Sequence, residues 1–243
     1  MSSEHLSIFE MLGVPEHYNF VAGAAFSALI LTIFGLYIRA KLRDPEAGVL
    51  PAPKFSFLNL GIEVVQIFRN LLRDMIGHGA EKYLPILLTT FLIILISNLS
   101  GFVPGLSVSS LNINNNLAMA GFIFVAYMYF GIREHGFSYV KQFTGGLPAP
   151  GYGTVMTTIM RGVAAMIVVI EVCGHIVRPF SLSLRLWGTM NGDHALMGIF
   201  EGFEPLIFPC VAMALGLLVS VVQALVFALL SMVYIKLAVS HDH

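Results

Sequence analysis

The sequence predicts an all-α polytopic membrane protein with about five membrane-crossing helices and one interfacial amphipathic helix, the last two crossings forming a long, steeply tilted hairpin. Composition is the first observation: of 243 residues 57% are hydrophobic and 11% charged, whereas a soluble domain carries roughly 25% charged residues. Clustering is the second, because several uncharged windows reach about 20 residues, the length a helix needs to cross a hydrocarbon core of about 30 Å. The third is that Lys and Arg gather in alternate loops. The charge balance, 13 basic against 14 acidic residues, excludes nucleic acid as a partner, since phosphate recognition rests on a dense basic surface. Cys173 and Cys210 lie in apolar stretches and read as small core residues rather than a disulfide or metal pair. No metal and no cofactor is expected.

The chain reads as a single membrane domain over residues 1–243. Its first apolar run covers 20–38, and because no Lys or Arg precedes Arg39 it lacks a signal-peptide n-region and reads as a retained span. An interfacial helix is expected over 57–80. There Leu58, Gly61, Val65, Phe68, Leu72 and Met75 recur at helical spacing opposite Asn59, Glu63, Gln66, Asn70, Arg73 and Asp74, too polar on one face to cross a membrane. Such a helix either lies in the interface or packs on other subunits. The second and third spans are expected at 84–103 and 117–132.

A longer apolar territory follows, divided into 154–200 and 205–238 by a turn near Glu201-Gly-Phe-Glu-Pro205. The first of these would be a helix of about 70 Å at 1.5 Å per residue, more than twice the hydrocarbon thickness. It must therefore tilt steeply, and Pro179 inside it would kink or interrupt it.

Loops rich in Lys and Arg stay on the cytoplasmic side. Arg39, Lys41, Arg43, Lys54, Arg69, Arg73 and Lys82 fall between the first two spans, Arg133 and Lys141 follow the third, and Lys236 closes the last. The segment before the first span carries Glu4, Glu10 and Glu16, and residues 104–116 carry no charge. This pattern predicts five crossings with the N-terminus outside and the C-terminus inside.

Ionisable residues inside a membrane cost at least about 2.5 to 3.5 kcal/mol each at a helix centre and mark function. The fourth stretch holds Arg161, Glu171, His175, Arg178, Arg185, Asp193 and His194. At 100° per residue Glu171 lies within about 40° of Arg185 and His194 about 180° from it, so two polar faces are expected, one for a partner and one lining a cavity. Going outward, Glu171 comes first, Arg185 about 21 Å later, and the Asp193-His194 pair about 13 Å beyond. Because a guanidinium does not deprotonate in proteins, Arg185 can act as a fixed charge and not as a proton carrier. It is a barrier flanked by two titratable clusters.

The run Arg178-Pro-Phe-Ser-Leu-Ser-Leu-Arg-Leu-Trp-Gly188, preceded by Glu171 and followed by an apolar helix bearing Gln223, resembles subunit a of the F-type ATP synthase. The resemblance extends to Asn98-Leu-Ser-Gly-Phe-Val-Pro-Gly105, to Asn112 and Asn114, and to Tyr234. It implies a proton-translocating stator that holds two offset half-channels against a rotating ring of c subunits. Further implied partners are the b subunits of the peripheral stalk, the remainder of the ATP synthase and the lipid bilayer. The arginine matching Arg185 would face the ring carboxylates with Gln223 beside it; Glu171 and His175 would serve the cytoplasmic half-channel. Asp193, His194, Asn98, Asn112 and Asn114 would serve the outer one, and Ser181 and Thr189 would add hydroxyls to the half-channels. A bacterial plasma membrane is implied ahead of a mitochondrial one.

Departures from the family pattern fall on the outer side: His194 where many members have glutamate, Gly216 where an acid or histidine often sits, Gly101 where some have an acid, and Thr189 in place of asparagine. A membrane metalloprotease is disfavoured because no His-Glu-x-x-His occurs. A self-contained transporter is disfavoured because the buried charge sits in the last two spans with no duplicated half.

Overall fold

The computed structural model describes residues 13, 15, 18–41, 57–77, 79–103, 106, 109–136, 154–201 and 207–239. Six α-helices occupy them: α1 Asn19–Lys41, α2 Phe57–Ile76, α3 Leu84–Leu99, α4 Ile113–His135, α5 Thr154–Glu201 and α6 Ile207–Val239. Among the described residues there is no strand. Five helical segments are long and apolar enough to cross a membrane, at Asn19–Ala40, Ala80–Phe102, Ile113–Glu134, Gly162–Phe200 and Cys210–Val239. The protein is all-α and polytopic. The acidic N-terminal segment, the basic residues Arg43, Lys54 and Lys141, and the turn residues 202–205 lie outside the described residues.

Helix ends follow local chemistry. Helix α2 stops at Ile76 because Gly77, at φ 91°, turns the chain into a left-handed conformation open to glycine, its N–H donating to the Arg73 carbonyl at 2.9 Å. Gly77 and Gly79, expected to continue this helix, therefore leave it, and a short 3-10 turn at Ala80–Tyr83 leads into α3 with Pro85 in its first turn. Helix α3 tightens into a second 3-10 turn at Ser100–Phe102. Helix α4 begins four residues earlier than the apolar run that marks it, because Asn112 caps it, accepting from the Asn114 N–H at 2.9 Å. Helix α5 runs unbroken over 48 residues with Pro179 inside.

Helix α6 carries the packing seam. Ala212, Gly216, Ser220, Ala224 and Ala228 recur every fourth residue and all are buried, forming a ridge of small side chains that lets neighbouring backbones come close, as membrane interfaces favour. Helices α3, α4 and α5 all pack against α6, and α4 runs along α5. The shared core comprises Leu87, Phe91 and Ile94 of α3, Ile123 and Tyr127 of α4, Leu182 and Leu186 of α5, and Phe227, Met232 and Ile235 of α6. Three helix hydroxyls bond back to the preceding turn, Ser27 of α1 to Gly23, Thr90 of α3 to Ile86 and Ser231 of α6 to Phe227, which satisfies them without water.

Charges collect at one end. Lys82 pairs with both carboxylate oxygens of Glu134 at 2.8 and 2.9 Å, joining the start of α3 to the end of α4. Arg69 and Arg73 of α2 converge on Glu81 at 2.9 and 2.6 Å. These exposed pairs contribute little to stability, but they define a basic end. The opposite end holds the 3-10 turns at Ser100–Phe102 and Ser109–Leu111.

Candidate functional site

Helix α5 positions the ionisable residues. Its buried stripe is narrow: Leu182, Ser183, Leu186 and Met190 are buried, while Ile176, Val177, Phe180, Leu184, Trp187, Leu196 and Ile199 are exposed. So large an uncovered apolar surface marks contact with lipid or with another protein. Arg185 lies about 100° round the helix from Leu186, on this open face. Its guanidinium makes no hydrogen bond or ion pair with any described residue. Thr189, one turn on, donates its hydroxyl to the Arg185 carbonyl at 2.9 Å, so its side chain is held on the helix itself. Ser181, one turn back, is exposed on the same side.

Toward the basic end, His175 Nδ1 lies 2.9 Å from the Glu171 carbonyl and Nε2 lies 3.5 Å from Arg178 Nη1. Guanidinium can only donate, so Nε2 accepts and Nδ1 carries the proton. Arg178 also lies over the Tyr234 ring at 5.3 Å, a cation–π contact that ties α5 to α6. Tyr127 stands 6.2 Å from the His175 ring and 6.1 Å from Tyr234. Glu171 is half-buried, and it is its backbone, not its carboxylate, that meets His175.

Toward the opposite end, Asp193 and His194 are both half-buried, and Asp193 Oδ2 is buried with no hydrogen-bond partner among the described residues. Eighteen residues separate His175 from Asp193, five whole turns, so both fall on one line beside the buried stripe, about 27 Å apart. Arg185 lies between them in height but about 80° away on the open face.

A second polar centre lies between α3, α4 and the 3-10 turn at Ser109–Leu111. Ser110 Oγ donates to Asn98 Oδ1 at 2.8 Å and contacts Ser97 Oγ at 3.2 Å, while Asn116 Nδ2 donates to the Ser110 carbonyl at 2.7 Å. Asn98 and Asn116 are 0% and 1% exposed, and Asn98 Nδ2 has no partner. A cavity of about 30 Å³ beside them is lined by Ser27, Ser97, Ser110, Asn116 and Leu186, room enough for a water molecule in a polar setting. Of the three asparagines expected here, Asn98 belongs to this centre, whereas Asn112 caps α4 and Asn114 is exposed. Asn116 and Ser110 were not singled out by the sequence. The signal was present, since an asparagine one turn inside an apolar helix needs a partner.

Gln223 is buried on α6 and its Nε2 lacks a partner, as do Ser183 Oγ on α5 and Ser220 Oγ on α6. Among the described residues no cluster of His, Cys, Asp or Glu could hold a metal ion.

The profile described as ATP synthase A chain matches residues 21–236, nearly the whole chain. This chain belongs to the ATP synthase A chain family. A Bdellovibrio bacteriovorus protein named ATP synthase subunit a is 35% identical over 232 residues, 95% of this chain and 96% of that one. A Geotalea uraniireducens protein of the same name is 35% identical over 238 residues, and one from Geobacter sulfurreducens 32% over 238, each covering 98% of this chain and 97% of its own length. Two further positions singled out in the sequence have a structural account: Thr189 bonds back to its own helix, and Gly216 faces the Phe102 ring.

Proposed function

We propose that the protein is the proton-translocating stator subunit of a bacterial F-type ATP synthase, lying in the plasma membrane with its N-terminus outside and C-terminus in the cytoplasm. Arg185 carries this reading. A guanidinium with no ion-pair partner among the described residues, near the middle of an uncovered apolar helix face, is costly in hydrocarbon, so that face calls for a partner presenting an anion at the same depth. Carboxylates of a c-subunit ring answer that requirement.

Protonated and neutral, such a carboxyl can travel through lipid. At about 4 Å from Arg185 its charged form gains roughly 4 kcal/mol at an effective dielectric near 20, so its proton is released toward the cytoplasmic half-channel through Glu171 and His175. Reprotonation comes from the outer half-channel through Asp193, His194 and the Asn98 centre, before the ring site returns to lipid. Arg185 separates the two half-channels because it cannot itself pass a proton, and Gln223 supports it from α6. The b subunits hold the stator still. Each proton falling through 100 mV supplies about 2.3 kcal/mol to rotation.

The test is Arg185→Ala in the assembled complex. ATP-driven proton pumping should be abolished while c and b subunits still co-purify. Appreciable coupled pumping by that variant refutes the assignment.

A further inference from the structure

Gly216 of α6 is buried, and a Cβ placed on it would lie 3.0 Å from Cε1 and Cζ of Phe102 and 3.8 Å from Met197 Cε. The Phe102 ring therefore rests on the bare backbone of Gly216, and the Met197 methyl of α5 reaches the same point. Met197 is one turn beyond Asp193 on the same face, and long side chains on a helix lean back toward the residue four before them. Asp193, four residues before Met197, lies about 6 Å nearer the basic end along α5, and its Oδ2 is buried with no hydrogen-bond partner among the described residues. All three residues are at the end of the bundle opposite the Lys82–Glu134 pair.

We propose that Phe102, seated on Gly216 and Met197, forms an apolar collar one helical turn outward of Asp193 that limits access from the outer solution to that carboxylate. The inference rests on the assignment of Asp193 to the outer half-channel. Apolar constrictions restrict a pore by excluding water, and glycine at 216 lets the ring seat this closely, because a Cβ there would push the ring back by a few tenths of an ångström. Polar residues deeper in, Asp193 and the Asn98 centre, then lie behind a dry ring rather than in open solution.

The test uses the complete complex in sealed vesicles of both orientations, with Cys173 and Cys210, both exposed, replaced by serine. Asp193→Cys introduces a thiol below the collar, probed with a membrane-impermeant maleimide on each side. Phe102→Ala should raise its labelling rate from the outer side at least about tenfold, equivalent to about 1.4 kcal/mol off the barrier. Phe102→Leu, which keeps an apolar side chain, should fall between Phe102→Ala and the unchanged collar, with c and b subunits co-purifying in each case. Outer labelling at the same rate with and without both Phe102 changes overturns the collar. Labelling from the cytoplasmic side alone overturns instead the placement of Asp193 in the outer half-channel.

Discussion

His175 is held at both ring nitrogens, by the Glu171 carbonyl at 2.9 Å and by Arg178 at 3.5 Å. A histidine in that state must break one of these contacts before it can relay a proton, whereas the Glu171 carboxylate is not engaged by His175. Glu171→Gln is therefore expected to slow passive proton conduction severalfold in vesicles stripped of the catalytic heads. His175→Leu should slow it less, acting through the orientation of Arg178 over Tyr234. A His175→Leu defect equal to or larger than that of Glu171→Gln would make the histidine the main carrier.

Ser110 is the hub of the buried polar centre, since it donates to Asn98 and its carbonyl accepts from Asn116. Ser110→Ala leaves Asn98 Oδ1 without that donor at a site fully shielded from solvent, a cost of about 1 to 3 kcal/mol. The thermal denaturation midpoint of the detergent-solubilised protein should fall accordingly. Asn112→Ala removes the α4 cap and should cost about 1 kcal/mol, and Asn114→Ala, exposed, should be close to neutral. Equal midpoints for all three variants would dissolve the distinction between hub, cap and surface.

Ala228 sits on the small-residue ridge of α6 with 1% exposure. Ala228→Leu forces extra methylenes between closely spaced helices, and overpacking of this kind costs typically about 1 to 3 kcal/mol. The same denaturation measurement should show it, while Leu237→Ala, on an exposed position of the same helix, should shift the midpoint little. A tolerated leucine at 228 would mean that α6 is not closely packed there.

How much of this was legible in the sequence depends on the signal each residue carries. Helix α5 was legible because apolar sequence resumes directly after Pro179, and Arg185 stood out because a charge inside such a run has few structural explanations. The start of α4 was not, because the run of asparagines at 112–116 reads as loop by hydropathy; Asn112 is a cap and Asn116 a buried helix residue. The pairing of His175 with Arg178 follows from spacing on one helix, yet the Tyr234 contact that orients Arg178 comes from 56 residues away and has no local signature. Likewise Gly216 reads as a missing acid, and the reason for it, the Phe102 ring, lies on another helix end.

The neighbours Asp193 and His194 occupy different faces of α5. Asp193 lies on the helical line of His175, five turns along, beside the buried stripe that faces α4 and α6, whereas His194 points about 100° further round. Asp193 also has one buried oxygen with no hydrogen-bond partner among the described residues, a group that a passing water or proton would engage. The geometry thus favours the aspartate as the proposed outer relay, whereas the sequence resemblance points to the histidine. Asp193→Asn keeps size and hydrogen bonding but cannot ionise, and it should slow passive proton conduction in head-stripped vesicles severalfold. His194→Gln, similarly matched, should retain most of the conduction. The reverse order, a severe His194→Gln defect beside a mild Asp193→Asn one, would assign the relay to His194 and leave the aspartate as a packing residue at the edge of the helix interface.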